Sequence, residues 1–436
     1  MEYVVHFQSF FVSFLALLLP ALFFSFKRKN HHHHTTNPSM AAPPDWSQLP
    51  AELLHLISQR LNSPLYLLRF RSVCSTWRHS SASSFIPIHH FPFNFPPLSD
   101  HDHHDASSFS LTKRTVVLIT PPPPPHHQTQ TPWLVKIGED LCDGDRTRTR
   151  LWHPLFRGPH FPIYAMRVLD FYNLSVLHIG NEFNLHHSPP SPSGHDSLYM
   201  EKVVAATTYQ GKQEVFVLLT IHISGKLALF RSGDESWRII PDMPTPYDDV
   251  CVFNGRHFAV DGTGRTVVVG LDSALDLVVV AEPVFGGDKK FLVESEGELL
   301  LVDKHMSSNW FCGGGEAADD EENDGDDDNG EGVYRVGWER AVSFDVYRLD
   351  QKEKRWVEVT SLGDRVLFLG GECAFSASAS DLRVCKGNCV VFKDLALECA
   401  IGVFPLDVGR ISPLSNHPDY SRLFWPCPDW IWSHCH

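Results

Sequence analysis

The sequence predicts a mainly β chain with one small α-helical module: a helical hairpin followed by a β-propeller of about six or seven blades. Three observations point there. Apolar residues recur at helical spacing in a stretch from Asp45 to Ser81. Beyond it, short β-branched and aromatic runs follow one another between Gly, Asp, Asn and Pro, which is the pattern of an all-β sandwich, barrel or propeller. Finally, LALFRSGDESWRIIP, VVVGLDSALDLVVVAEP and FDVYRLDQKEKRWVEV each read as strand, polar turn and strand, with Trp237 and Trp356 in like positions. A Gly-led strand precedes some of these hairpins, as in NGRHFAVD from Asn254 and EGELLLVD from Glu296. Such a unit, repeated at about 40 to 50 residues, is a four-stranded propeller blade.

Residues 1–44 form an apolar segment and linker. Val4 to Phe26 is almost continuously apolar, long enough to span a bilayer, and followed at once by Lys27, Arg28 and Lys29. A cleaved secretory signal fits less well, because Glu2 and no basic residue precedes the apolar run. Two readings stand: a membrane anchor, or an upstream extension ahead of Met40, which directly precedes AAPPDWSQLP. Under either, the rest of the chain faces the cytosol, and nucleus and cytosol are the expected compartments.

Residues 45–85 form the helical module. Leu49, Leu53, Leu54, Ile57 and Leu61 recur along one helix face, with Pro50 in the first turn, where no N–H donor is needed. Ser63 and Pro64 suit the cap and first position of a second helix. Leu67, Leu68, Phe70, Val73, Cys74 and Trp77 then make another apolar stripe, interleaved with Arg69, Arg71 and Arg78. A module below about forty residues rarely holds a core alone, so a partner is implied.

The segment resembles the F-box, whose leucine-proline start it carries as Leu49-Pro50 and whose closing R-x-V-C-x-x-W-R it carries as Arg71, Val73, Cys74, Trp77 and Arg78. The resemblance implies a Skp-type adaptor of a cullin-RING ubiquitin ligase as partner. It also implies a contact set of Leu49, Pro50, Leu53, Leu54, Ile57, Leu68, Val73, Cys74 and Trp77.

Residues 86–110 read as a linker rich in Phe, Pro, His and Asp, and residues 111–436 as the propeller. Expected strands include TVVLI from Thr115, KVVAATTY from Lys202, EVFVLLTIH from Glu214, ELLLVDK from Glu298, SFDVYRL from Ser343, RVLFLGG from Arg365 and AIGVFPL from Ala400. An acidic insertion, 313–332, interrupts the repeat. Segments such as MPTPYDDVCVFNGRHFAVDGTGRTVVV, PVFGGDKKFLVESEGELLLVD and YSRLFWPCPDWIW are similar to plant F-box proteins of the Skp-interacting-partner type. Their C-terminal domain, long called one of unknown function, is regarded as a β-propeller.

Composition narrows the function. The formal net charge is -15, but ten acids and no base in the insertion account for -10 of it. No basic stripe with interleaved aromatics occurs outside the helical module, which argues against nucleic acid as a partner. The ten cysteines lack framework spacing, and Cys385 and Cys389 have no second pair at zinc-site distance, so reduced thiols are expected.

Motifs that carry chemistry fall away one by one. The histidine runs at His31 to His34, His101 to His104 and His126-His127 lie in Pro-, Asp- and Ser-rich segments without a framework, and read as solvated loops. Cys427, His434, Cys435 and His436 are zinc-type ligands, yet a terminus would have to order itself to close a tetrahedron. Asp324, Asp326 and Asp328 alternate as an EF-hand requires, but Asn329 stands at the glycine position and Arg335 where the bidentate glutamate belongs. GGDKK at Gly286 to Lys290 lacks the Ser or Thr of a phosphate loop and reads as a turn. FSASASD, with Ser376 to Ser380, suits a strand packed near a propeller axis. Phe424, Trp425, Trp430 and Trp432 read as blade-closing core.

No metal, cofactor or catalytic residue is therefore expected. The expected role is a non-catalytic substrate receptor of an SCF-type ligase. It binds adaptor and, through it, cullin at the F-box, and a protein target of unknown identity at the propeller. The alternative is a membrane-anchored or soluble propeller that binds partners without ligase activity.

Overall fold

The computed structural model describes residues 48–59, 67, 70–71, 73–81, 93–95, 108–121, 131–141, 147–156, 174–188, 202–210, 213–271, 275–309, 338–394, 400–424 and 428–433. The chain divides into two compact units, Met1–His90 and Phe91–His436. The apolar Val4 to Phe26 segment, the histidine runs, most of the Ser63-Pro64 region, the acidic insertion and the Cys/His tail lie outside the described residues. Among the described residues no helix is long and apolar enough to cross a membrane.

In the first unit, helix α1 spans Ala51–Gln59 and α2 spans Ser75–Ser80. The Pro50 carbonyl accepts the Leu53 and Leu54 amides at 3.1 and 3.0 Å, so the proline that donates nothing starts the helix. Glu52 in the first turn of α1, and Arg78 and His79 in the last turn of α2, match the signs of the helix termini.

The second unit is built of antiparallel blades. The first holds β1 (Phe93–Phe95), β2 (Ser108–Thr120), β3 (Trp133–Leu141), β4 (Thr147–Trp152) and β5 (Ser175–Ser188), in the order β4-β3-β2-β5 with β1 on β2. The second holds β6 (Val203–Gln210), β7 (Gln213–Ile221), β8 (Leu227–Arg231) and β9 (Arg238–Ile239), and joins the first through the single pair Phe183↔Val203. The third is β10 (Tyr247–Phe253), β11 (Arg256–Asp261), β12 (Thr266–Val269) and β13 (Leu277–Ala281). The fourth is β14 (Lys289–Ser295), β15 (Glu298–Asn309), β16 (Trp338–Asp350) and β17 (Arg355–Glu358).

The fifth blade departs from a simple meander. It comprises β18 (Arg365–Leu369), β19 (Ala374–Ser378), β20 (Cys389–Asp394), β21 (Ala400–Pro405) and β22 (Ser412–Pro413), in the order β19-β18-β20-β21-β22. Here β18 and β20 run parallel, which needs a crossover, and helix α3 (Ala379–Leu382) lies on it.

Turn chemistry sets the register of the hairpins. Asn254 and Gly255, with φ of 50° and 71°, make the two-residue turn between β10 and β11, and Glu296 and Gly297, at 54° and 77°, make the one between β14 and β15. Both central residues of such a turn must be left-handed, which the Asn-Gly pair tolerates best. Inside the fifth blade, Gly402 leaves the room that the Phe392 ring occupies.

Apolar layers between blades close the ring. Leu111 and Leu185 pack with Phe216 and Trp237 between the first and second blades, and Leu219 and Leu229 with Val250 and Ala259 between the second and third. Phe258 and Val268 meet Leu301 and Trp356 between the third and fourth, and Phe344 meets Phe392 between the fourth and fifth. Val116, Leu118 and Leu134 of the first blade then meet Val366, Phe368 and Val391 of the fifth. The C-terminal segment fastens this last seam. After α4 (Pro418–Ser421), the Leu134 amide donates to the Leu423 carbonyl at 2.8 Å and the Trp133 indole to the Phe424 carbonyl at 3.1 Å. Trp430, in α5 (Trp430–Ser433), donates to the Thr131 carbonyl at 2.8 Å.

Two expectations are corrected. The described strands make five blades, not six or seven, because strands such as β2, β5, β15 and β16 run 12 to 14 residues and each blade consumes more chain than a short-stranded repeat. The 86–110 stretch is not all linker. Phe93–Phe95 pairs with Phe109 to Leu111 of β2 in the first blade, through a strand too short to show a period in the sequence.

Candidate functional site

Two surfaces present chemistry, one in each unit. In the helical unit, Leu54, Phe70 and Trp77 are wholly buried and form a core of their own, with the Phe70 and Trp77 rings 4.6 Å apart. Leu49, Ile57, Val73 and Cys74 pack against it, half-buried. Hydrogen bonds lock the two helices together. The His55 ring donates to the Ser80 carbonyl at 3.2 Å, Arg71 donates to the Ser81 hydroxyl at 3.2 Å, and Arg78 donates to the Arg71 carbonyl at 3.2 Å. The two arginines of the closing motif thus act as internal fasteners.

The nine side chains expected to meet an adaptor are therefore divided. Leu54 and Trp77 point into the unit's own core, and Leu49, Ile57, Val73 and Cys74 are half covered. Pro50 and Leu53 are exposed, whereas Leu68 lies outside the described residues. Sequence reasoning missed Leu56. Three residues on from Leu53, it shares the outer face of α1, and the two keep 50% and 42% of their surface exposed, respectively. Two adjacent bare leucines on one turn are the apolar patch this unit offers.

In the propeller, the axis is the site. Strands β5, β6, β10, β14 and β19, one from each blade, line a cavity of about 510 Å³. A separate small gap of about 10 Å³ shares Lys202, Cys373 and Ala374 with its wall, and there Lys202 pairs with Asp249 at 3.0 Å. There Asp248 and Asp249 also accept the Lys290 and Leu292 amides at 2.9 and 2.7 Å, stitching β14 to β10. Elsewhere on the wall stand His178, Glu294, Glu296 and Arg365. Burial pushes the Glu294 carboxyl above its ordinary value and pulls the His178 imidazole below it, the latter despite the Asn181 side chain 3.1 Å away.

Other polar groups of the propeller have structural partners. Burial alone would raise Glu182, but Lys136 foremost, then Asn184 and Arg114, outweigh it and hold the carboxyl low. Lys290 closes the GGDKK run as a residue of β14; it pairs with Asp303 at 2.7 Å in full burial and donates to the Gly287 carbonyl at 2.9 Å, so this lysine fastens the turn that precedes the strand. The FSASASD serines are also engaged: Ser376 takes the Arg365 Nε–H at 3.1 Å, and Ser378 caps α3 by accepting the Asp381 amide at 3.0 Å. As the sequence suggested, this run is an axial strand, and Phe424 and Trp430 belong to the closing core. Among the described residues, no group of three or more His, Cys, Asp and Glu is placed to hold a metal ion.

Comparison with known proteins bears on both units. Residues 46–88 match the F-box domain, and residues 108–409 match the KIB1-4 beta-propeller. F-box protein SKIP23 of Arabidopsis thaliana is 43% identical over 403 residues, covering 89% of this chain and 96% of that protein. F-box protein At2g17036 of the same plant is 36% identical over 403 residues, covering 89% of this chain and 95% of that protein. Among solved structures, a GH43_1 enzyme from Xanthomonas citri aligns with 73% of this chain and 89% of its own at 9% identity, but a TM-score of 0.20 gives that likeness no weight here.

Proposed function

The chain belongs to the plant F-box proteins that carry a KIB1-4 beta-propeller, and from that membership we propose that it is the substrate-recognition subunit of an SCF-type cullin-RING ubiquitin ligase. The observation that carries the reading is the outer face of α1, where Pro50, Leu53 and Leu56 are bare within the matched F-box. An apolar patch on so small a helical unit calls for a covering partner, and a Skp-type adaptor is the partner an F-box takes. Leu49, Ile57, Val73 and Cys74 form the shoulder of that contact. Leu54 and Trp77 support it from beneath.

In this role the chain performs no chemistry of its own. Adaptor and cullin hold the F-box end, the propeller holds a protein target, and the target's lysines reach a high local concentration beside the ubiquitin-charged conjugating enzyme. Ubiquitination and proteasomal degradation of the target follow, and the nucleus and cytosol are the compartments where such ligases act.

The test is affinity purification of the full chain from plant cells, followed by reconstitution with adaptor, cullin and RING subunit. Recovery of adaptor together with cullin, and ubiquitin chains on a co-purified protein, supports the ligase reading. Recovery of adaptor without cullin, or of neither, favours an interaction protein that works without ubiquitination.

A further inference from the structure

We propose that Phe285, in the 282–288 loop between the third and fourth blades, is a rigid docking anchor for an extended protein segment of apolar and basic residues. At 78% it is the most exposed large apolar side chain among the described residues. An aromatic ring left in water on a loose loop signifies little, but this loop is pinned on both sides of the ring. Ahead of it, the Val284 amide donates to the Thr263 carbonyl at 2.9 Å, and Gly264 comes so near that a Cβ there would stand 2.9 Å from the Val284 nitrogen. Behind it, the Gly287 amide donates to Asp303 at 2.9 Å, the Gly287 carbonyl accepts from Lys290, and a Cβ on Gly287 would strike the Asp303 carboxylate. The Asp288 amide then donates to the Lys304 carbonyl at 2.8 Å, and the Asp288 carboxylate takes the Met306 amide at 2.6 Å. A buried ion pair contributes fixed geometry more than stability, and what Lys290 and Asp303 fix is the turn that carries Phe285. Docking on a loop already held in place loses little conformational entropy, and aromatic rings are enriched at the cores of protein interfaces.

Charge around the ring selects the partner. Glu282 and Asp288, three residues to either side, are exposed. Asp345, which hydrogen-bonds the His305 ring beside Gly286, keeps 44% of its side chain in water. Past His305, β15 runs on to Asn309, where the chain enters the insertion whose ten acids have no base among them. The lysines of the neighbourhood are turned elsewhere: Lys289 lines the small gap with Asp248, Lys290 is buried on Asp303, and Lys304 is buried near the Phe392 ring. On the outer flank Lys354, whose carbonyl accepts the Glu282 amide, is exposed but outnumbered. An apolar ring in an acidic rim fits a segment that carries apolar side chains between lysines or arginines. The same rim repels an anionic membrane and a second copy of itself.

The inference rests on the reading that the propeller holds a protein target, yet its experiment uses no ligase component: adaptor recovery tests that reading, and peptide binding tests this one. The peptide Lys-Arg-Phe-Leu-Arg-Lys, capped at both ends, is titrated calorimetrically into the full chain. Two control peptides carry Glu in place of every cation, or Ser in place of Phe and Leu. Saturable one-to-one binding of the first peptide, absent for both controls, is the expected result. Phe285→Ser should weaken it about tenfold or more, the loss expected when a covered aromatic ring is removed. Raising NaCl about tenfold from about 50 mM should weaken it several-fold. Ile223→Ser, at a 63% exposed residue of the turn between β7 and β8, should not change it. No saturable binding of the first peptide, equal binding of either control, affinity unaltered by Phe285→Ser, or a Phe285-dependent dimer in sedimentation velocity overturns the proposal.

Discussion

Replacing Leu53 and Leu56 together by alanine should separate adaptor binding from folding. Both side chains lie on α1 with about half their surface bare, 42% and 50%, so the unit loses little packing when they are cut back. Alanine is also the better helix former, by a few tenths of a kcal/mol per site. The cost falls on the complex. Fully burying a leucine is worth about 1.5–3 kcal/mol, so covering the exposed halves of two of them contributes about 1.5–3 kcal/mol in all. That corresponds to roughly 10- to 100-fold in affinity. Leu54→Ala or Trp77→Ala would not serve, because both side chains are wholly buried and their loss costs about 2–5 kcal/mol of the unit's own stability. The assay is calorimetric titration of purified Skp-type adaptor into wild-type and variant full-length chains, with thermal melting as the folding control. An unchanged melt with affinity weakened within that range is the expected result. A dissociation constant within about threefold of wild type, with the fold intact, would refute the assignment of this face to the adaptor.

Three further outcomes follow from the propeller. Burial brings His257 down to about 4 from its ordinary 6.5, so the neutral ring is the folded form and stability is whole above pH 6.5; it should fall by about 3 kcal/mol as pH drops from 6.5 toward 4, because the unfolded chain then binds the extra proton. His257→Leu should flatten that part of the pH profile in urea unfolding, and an identical slope in the variant would count against the assignment. Lys136→Met strands the Glu182 carboxylate in full burial beside Arg114 and should cost about 3–5 kcal/mol, with much of it recovered in Lys136→Met/Glu182→Leu, as measured by a double-mutant cycle. Trp430→Ala removes a nearly buried side chain from the closing seam and should cost about 3–5 kcal/mol in propeller unfolding without altering adaptor affinity in a pull-down.

Sequence reached the hairpins and fell short of the ring. Strands β8, β11, β12 and β16 announce themselves because β-branched runs end at Gly, Asp or Asn, whereas β5, SVLHIGNEFNLHHS, alternates with His, Asn and Gly as an axial strand facing a polar cavity must, and so carries no apolar run to notice. Its pairing with the whole of β2 lengthens the first blade and lowers the blade number below what a short repeat implies. In the helical unit, spacing identifies a face but not which side of it the rest of the unit covers. Leu53 and Leu54 look alike in the sequence, yet one is bare and the other lies beneath Phe70 and Trp77. The axial cavity was out of reach for a different reason: Glu294, Arg365 and His178 sit on or beside three different blades, and only closure of the ring brings them together.

That closure also sets a timetable for biosynthesis. Trp133 waits for the Phe424 carbonyl, 291 positions later in the chain, and the Leu134 amide waits for Leu423. At about 5–20 residues per second on the ribosome, the first blade stands with its seam unsealed for roughly 15–60 s. The helical unit, by contrast, has all its described core within residues 49 to 77 and can leave the ribosome tunnel complete long before. A nascent chain therefore has its F-box complete while the propeller ring is still open, and a ribosome stalled short of Leu423 would hold a finished F-box beside a raw apolar seam, a natural client for chaperones.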